Sequence, residues 1–271
     1  MRITQTLKRS LLVLAFLVSG TAATVAQPRI QDNNTITWLA GFNTIFLSKH
    51  VSLWAEYQWR REGFDMKNWQ QSLARVALQY HFKNSLVLTG GYGYIESFPF
   101  GDHPAGPYKV PEHRFFEQAI WSNNMGRLQI THRYRLEQRL IGKVNQKAAE
   151  YAVDGYNYQN RVRYMLRMVY PLNHKMSVDK TWYAVGFDEV FIGFGSNVSQ
   201  NIFDQNRLAG GIGYQFNKML KIEACAYNQT VQQSGLVGGK QVYQYNTGLL
   251  VNAFFTRPVK DKKVPVENTV K

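Results

Sequence analysis

Only one cysteine, Cys225, occurs in the 271 residues, so no disulfide can form within the chain. A lone thiol inside a strand reads as a small apolar packing residue rather than a nucleophile. Long apolar runs are also missing, except at the very start. Hydrophobic residues make up 45%, yet the mean hydropathy is −0.34. A helical membrane protein needs runs of about 20 apolar residues to cross roughly 30 Å of hydrocarbon, so that class is excluded. Acidic residues are scarce, with 18 Asp and Glu against 32 Lys and Arg and a net charge of +14. Such an excess often marks a nucleic-acid binder. Here the basic residues form neither a patch nor a helical stripe, and no nucleic-acid partner is expected. The histidines (His50, His81, His103, His113, His132, His174) are scattered, with no two at ligand spacing on one strand face, so neither a metal nor another cofactor is expected. A Gly-x-Ser-x-Gly elbow is absent as well, which weighs against a hydrolase.

What is present begins with a secretory signal. Arg2, Lys8 and Arg9 form a positive region, Leu11 to Val18 an apolar core, and Thr24 and Ala26 the small residues of a cleavage site before Gln27. Residues 1–26 are therefore expected to be removed. The apolar stretch is too short for a membrane anchor.

After Gln27 the pattern has period two almost throughout. Ile36, Trp38, Ala40, Phe42, Thr44 and Phe46 form one mainly apolar face. The clearest segment sets Leu128, Ile130, His132, Tyr134 and Leu136 against Gln129, Thr131, Arg133, Arg135, Glu137 and Arg139. Its neighbour sets Val162, Tyr164, Leu166, Met168 and Tyr170 against Arg161, Arg163 and Arg167. Each segment runs for about ten residues or more, whereas soluble-domain strands centre near five or six. A tilted membrane strand needs about 9–11. Aromatic residues reach 14% and gather at strand ends, as an interfacial girdle would require. The reading is a single antiparallel transmembrane β-barrel over residues 27–255, with a polar basic tail at 256–271.

Connections alternate in length. Short turns are expected at Ser48–His50, Lys83–Ser85, Asn123–Gly126, Pro171–Lys175 and Asn217–Met219, and longer loops near Arg61–Met66, Ser97–His113, Leu140–Asn157, Gly195–Phe203 and Thr230–Gln241. Short periplasmic turns and long outer loops are the usual asymmetry. About eleven strand-like segments emerge, whereas single-chain bacterial barrels usually have even numbers. Ten to twelve strands are therefore expected, with Arg114–Asn123, whose faces are ambiguous, as the segment most open to misreading.

An arginine on the lipid face costs about 2–4 kcal/mol at the midplane. Alternation therefore aims Arg60, Arg75, Arg133, Arg135, Arg139, Arg161, Arg163, Arg167 and Arg207 into the lumen, where fewer carboxylates, among them Glu56, Glu137 and Glu223, join them. Basic rings favour anions, so one reading is an anion-favouring pore or pocket. The other, which we prefer, is a closed lumen filled by bidentate Arg–carboxylate pairs. Asp188 and Glu189 are adjacent, so they would aim at opposite faces and make no acid/base dyad. Gly90-Gly91-Tyr92-Gly93 and Gly210-Gly211-Ile212-Gly213 precede no helix and read as strand glycines rather than phosphate loops.

His132 to Arg139, Asn160 to Tyr164, Asp188 to Phe191, and Phe203-Asp204-Gln205-Asn206-Arg207-Leu208 followed by Gly211 to Tyr214 together resemble an uncharacterised outer-membrane family, domain of unknown function 2490. The likeness runs from about Ile36 to Phe255 and implies a β-barrel, with no activity to transfer. The functional expectation is an outer-membrane barrel, either a small porin-like channel or a structural element. The alternatives are an outer-membrane enzyme acting on lipid or lipopolysaccharide and a surface-binding protein using the long loops around Pro104 and Lys143. Expected partners are outer-membrane lipid, lipopolysaccharide and the outer-membrane assembly machinery.

Overall fold

The computed structural model describes residues 29–145 and 150–259. The expected signal segment, residues 1–26, and residues 260–271 of the expected tail lie outside them. Eleven strands hold most of the described residues: β1 (Arg29–Phe46), β2 (Val51–Glu62), β3 (Asn68–His81), β4 (Leu86–Ser97), β5 (Val110–Met125), β6 (Leu128–Val144), β7 (Val153–Pro171), β8 (Thr181–Phe194), β9 (Phe203–Gln215), β10 (Leu220–Val237) and β11 (Lys240–Arg257). Each pairs antiparallel with the next, and the sheet closes as a barrel between β1 and β11.

The closing pair is parallel, because a meander with an odd number of strands brings its first and last strands round in the same direction. It runs without interruption from Arg29 opposite Gln241 to Ile45 opposite Arg257. The eleven strands fall within the expected ten to twelve, and the expectation of an even count is corrected by this seam. Arg114–Asn123 is a true strand, the centre of β5. Its faces looked ambiguous because Phe115 points outward and Phe116 inward, at 50% and 1% exposure.

Two expected loops prove shorter. β10 continues to Val237 and turns into β11 through Gly238 and Gly239 alone, whose φ angles of 56° and 74° suit a tight hairpin that needs positive φ at both central residues. Gln232, Gln233 and Ser234 disguised this strand as a loop. β7 likewise starts at Val153, inside the expected 140–157 loop, and β11 runs two residues beyond 255. The two glycine-rich runs lie within β4 and β9, as strand glycines should.

On β2 to β11 alternation sorts the residues into an apolar outer face and an inner face. Outside lie Val76, Leu78, Tyr134, Leu136, Val162, Leu208 and Ile212, all exposed. β1 departs from this rule. Its apolar face turns inward, with Ile36 fully buried and Trp38 3% exposed. The reason is a local apolar cluster inside the barrel, where Ile36 and Trp38 pack with Tyr183, Cys225, Tyr227 and Leu250. Cys225 is buried there, in keeping with a packing role.

Candidate functional site

The ten charged residues assigned to the lumen all lie on inward positions. Arg60, Arg75, Arg135, Glu137, Arg161 and Arg163 are buried; Arg133, Arg139, Arg167 and Arg207 are partly buried. The fold brings them into one network whose centre is Glu137, at 0% exposure. One carboxylate oxygen of Glu137 accepts from Arg161 Nη2 and Nε at 2.6 and 2.9 Å, and the other from Arg163 Nη1 at 2.6 Å. Arg114 and Arg135 stand farther off, at 3.6 and 3.7 Å. Arg163 also donates to Glu189 at 2.7 Å, an acceptor it shares with Arg133 at 2.7 Å. Arg161 reaches Asp204 at 2.6 Å. Arg139 donates to Glu112 from both Nε and Nη2, at 2.8 and 2.9 Å. Arg75 pairs with Glu56 at 3.1 Å, and Arg167 pairs with Glu223.

Alternate positions on neighbouring strands make this possible. Arg161 lies opposite Glu137, and Arg163 opposite Arg135. Like charges directly opposite would repel, and the forks on Glu137 and Glu189 relieve that. Glu189 is inward and 3% exposed, while Asp188 faces outward and accepts from Asn206 at 2.7 Å. The two carboxylates therefore do sit on opposite faces.

Aromatic rings fill the space between guanidiniums. Arg60 lies 3.8 Å from the Trp38 ring centroid, with Arg207 at 5.0 Å from the same ring. Phe191 is fully buried and meets Arg163 at 4.2 Å and Arg207 at 4.6 Å; Phe116 meets Arg135 at 4.8 Å. Cations over ring faces gain more when desolvated, so these stacks suit a lumen with little water. Together they form a septum across the barrel.

Sequence reasoning missed Glu112, Arg114 and Asp204, and also the inward Phe116 and Phe191. The alternation of Glu112, Arg114, Phe116 and Gln118 carried the signal, hidden by Phe115 beside it. It also missed Ser52 and His81, where Ser52 Oγ lies 2.8 Å from His81 Nε2. Ser52 is fully buried and within 3.1 Å of Gln79 Oε1, whereas His81 is partly exposed. His132 lies outside, its Nδ1 2.9 Å from the Tyr164 hydroxyl. Among the described residues no group of three or more His, Cys, Asp or Glu side chains could hold a metal ion.

The two ends of the lumen differ. At the long-loop end the β4–β5 connection, 98–109, folds over the mouth. The amides of Asp102 and His103 donate to the Asp32 carboxylate at 3.3 Å each. Gln233 of β10 donates to the His103 carbonyl at 2.7 Å. A loop that leaves β4 is thus tied to β1 and β10 across the ring. Gly101, with φ of 76°, fits so closely that an added Cβ would lie 2.6 Å from Asn34. At the other end a cavity of about 350 Å³ lies below the septum, between Trp38 and the last residues of β11.

No curated protein and no solved structure matches the chain. Residues 35–237, from β1 to the last residue of β10, match the profile of the family described as a protein of unknown function (DUF2490), and the chain belongs to that family.

Proposed function

We propose that this protein is an outer-membrane β-barrel whose lumen is occluded at rest, a closed compartment rather than a diffusion pore. The outer wall supports the membrane half of this reading. Exposed Leu53, Val76, Leu78, Leu136, Val162 and Ile212 form an apolar surface far beyond what a water-soluble monomer tolerates. Trp121, Tyr170, Trp182 and Phe255 lie toward the short-turn ends of their strands, and Tyr94 and Tyr156 toward the long-loop ends, as two interfacial girdles would. Polar residues that interrupt the wall bond to one another, Asp188 with Asn206, Gln138 with Glu117, and Asn228 with Thr247, although Gln138 Oε1 is left without a partner. Strands of 12 to 19 residues exceed the span of roughly 9–11 that a tilted strand needs. The closed sheet leaves no unpaired edge for hydrocarbon to meet.

The observation that carries the occlusion is Glu137, without solvent exposure and bonded to Arg161 and Arg163 at 2.6 Å in mid-lumen. A water-filled channel would wet that carboxylate. The periplasmic side is then the short-turn end, and loop 98–109 covers the outer mouth. Planar-bilayer recording of the purified barrel tests this: a folded sample, recognised by its changed gel migration on heating, passes no stepwise current. Steady stepwise conductance overturns the occlusion, and recovery of the protein from a soluble fraction without detergent overturns the membrane placement.

A further inference from the structure

The network does not neutralise the lumen evenly. Around the cavity below the septum stand six arginines and three glutamates, a surplus of three positive charges. The glutamates are already engaged: Glu56 by Arg75, Glu189 by Arg133 and Arg163, and Glu223 by Arg167. That leaves Arg135 and Arg207. The nearest carboxylate to Arg135 is Glu137 at 3.7 Å, which Arg161 and Arg163 hold far closer. Arg207 has no carboxylate within ion-pair distance among the described residues, only the amide oxygen of Gln205 at 3.0 Å and the ring faces of Trp38 and Phe191.

Donors are left over as well. Arg135 Nη1, Arg75 Nε and Arg133 Nε are buried without a hydrogen-bond partner, and Arg75 and Arg135 are 5% and 2% exposed. A buried donor left unpaired is destabilising, the more so when it is charged. An acceptor supplied from outside would relieve that cost. The rest of the wall is oily, with Trp54, Phe187, Met165 and Leu250. The cavity shares Arg167, Glu223 and Phe254 with a second one that Lys218 and Met219 of the β9–β10 turn border. That second cavity lies toward the short-turn mouth and is bordered by Lys218 and Lys221, whose charge attracts anions.

We infer that this cavity is a binding site for a small organic anion, a phosphate ester or carboxylate with an aromatic or branched apolar body, entering from the short-turn end. The charged head lies against Arg135 and Arg207, and the body against Trp54 and Phe187. This rests on the occluded reading, because a through-channel would flush the site.

Phenyl phosphate, inorganic phosphate and phenol, each titrated calorimetrically into the folded barrel in detergent, form the test. Phenyl phosphate is expected to bind saturably and roughly tenfold tighter than either fragment. Arg135→Gln with Arg207→Gln abolishes that preference, and Trp54→Ala weakens phenyl phosphate binding alone while inorganic phosphate is unchanged. Each variant is accepted only if it still migrates differently on heating, and Trp54→Ala leaves the ion-pair network intact if the arginine pair fails to fold. Absence of saturable binding, equal affinity for phenyl phosphate and inorganic phosphate, or folded variants that bind like the parent each overturn the site. A barrel that is silent in bilayers yet binds nothing removes the site and leaves the occlusion standing. A conducting barrel removes the occlusion itself.

Discussion

Gly248 sits opposite Ile36 in the parallel closing pair, and a Cβ at Gly248 would lie 1.7 Å from the Ile36 carbonyl oxygen. Backbone occupies the place where any other residue keeps its side chain. Gly248→Val is therefore expected to prevent closure, so that no heat-modifiable form appears on a gel after refolding. Gly210→Ala, on the outer face of β9 with nothing within 4 Å of its added carbon, keeps the shift. Normal folding of the Gly248 variant would contradict the closeness of the seam.

Glu137 gives a second prediction. Removing one partner of a buried ion pair leaves an uncompensated charge and costs about 3–5 kcal/mol. Glu137→Gln should lower the unfolding free energy in a urea titration by that order. Asp65→Asn, in an exposed pair with Lys67 at 3.2 Å, should change it by less than about 1 kcal/mol. Arg133→Ala with Arg163→Ala leaves Glu189 without its two arginines and should likewise cost stability. A change of ion selectivity with unaltered stability would favour a pore.

Loop 98–109 is held to β1 through the Asp32 carboxylate, which also accepts from Gln244 at 3.0 Å. Asp32→Ala frees the amides of Asp102 and His103. Protease added to the long-loop face of reconstituted barrels should then nick this loop faster than in the parent, while the heat-induced gel shift persists. Equal nicking rates would show that Asp32 does not hold the cap.

Cys225 is 2% exposed. Thiol reactivity depends on access as well as on the thiolate, and burial denies access here. A maleimide probe should leave the folded barrel unlabelled and label it stoichiometrically once heated in detergent. Rapid labelling of the folded form would mean that Cys225 is not shielded within the cluster it forms with Trp38 and Tyr227.

The inward direction of the arginines was legible because it depends on period two and on the high cost of a guanidinium in hydrocarbon. His132 facing outward, and Asp188 and Glu189 parting to opposite faces, followed from the same alternation. β1 was harder. Its apolar face looks like the outward rows of the other strands, and only the presence of Tyr183, Tyr227 and Leu250 inside the barrel turns it inward. The second half of β10 was hidden for another reason, since a strand projecting past the belt of apolar residues needs none of its own.

The sequence by itself determined most of the strands, their two faces outside β1 and β5, the family and the store of charge that must be shielded, because each is written in neighbouring residues. Tertiary structure alone decided the eleven-strand parallel closure, the choice of carboxylate for each guanidinium and the loop seated over one mouth. These link residues far apart in the chain: Asp32 with Gln244, Arg161 with Asp204, His103 with Gln233. Such pairings depend on how the sheet curls back on itself, and the alternation along any one strand carries no record of that.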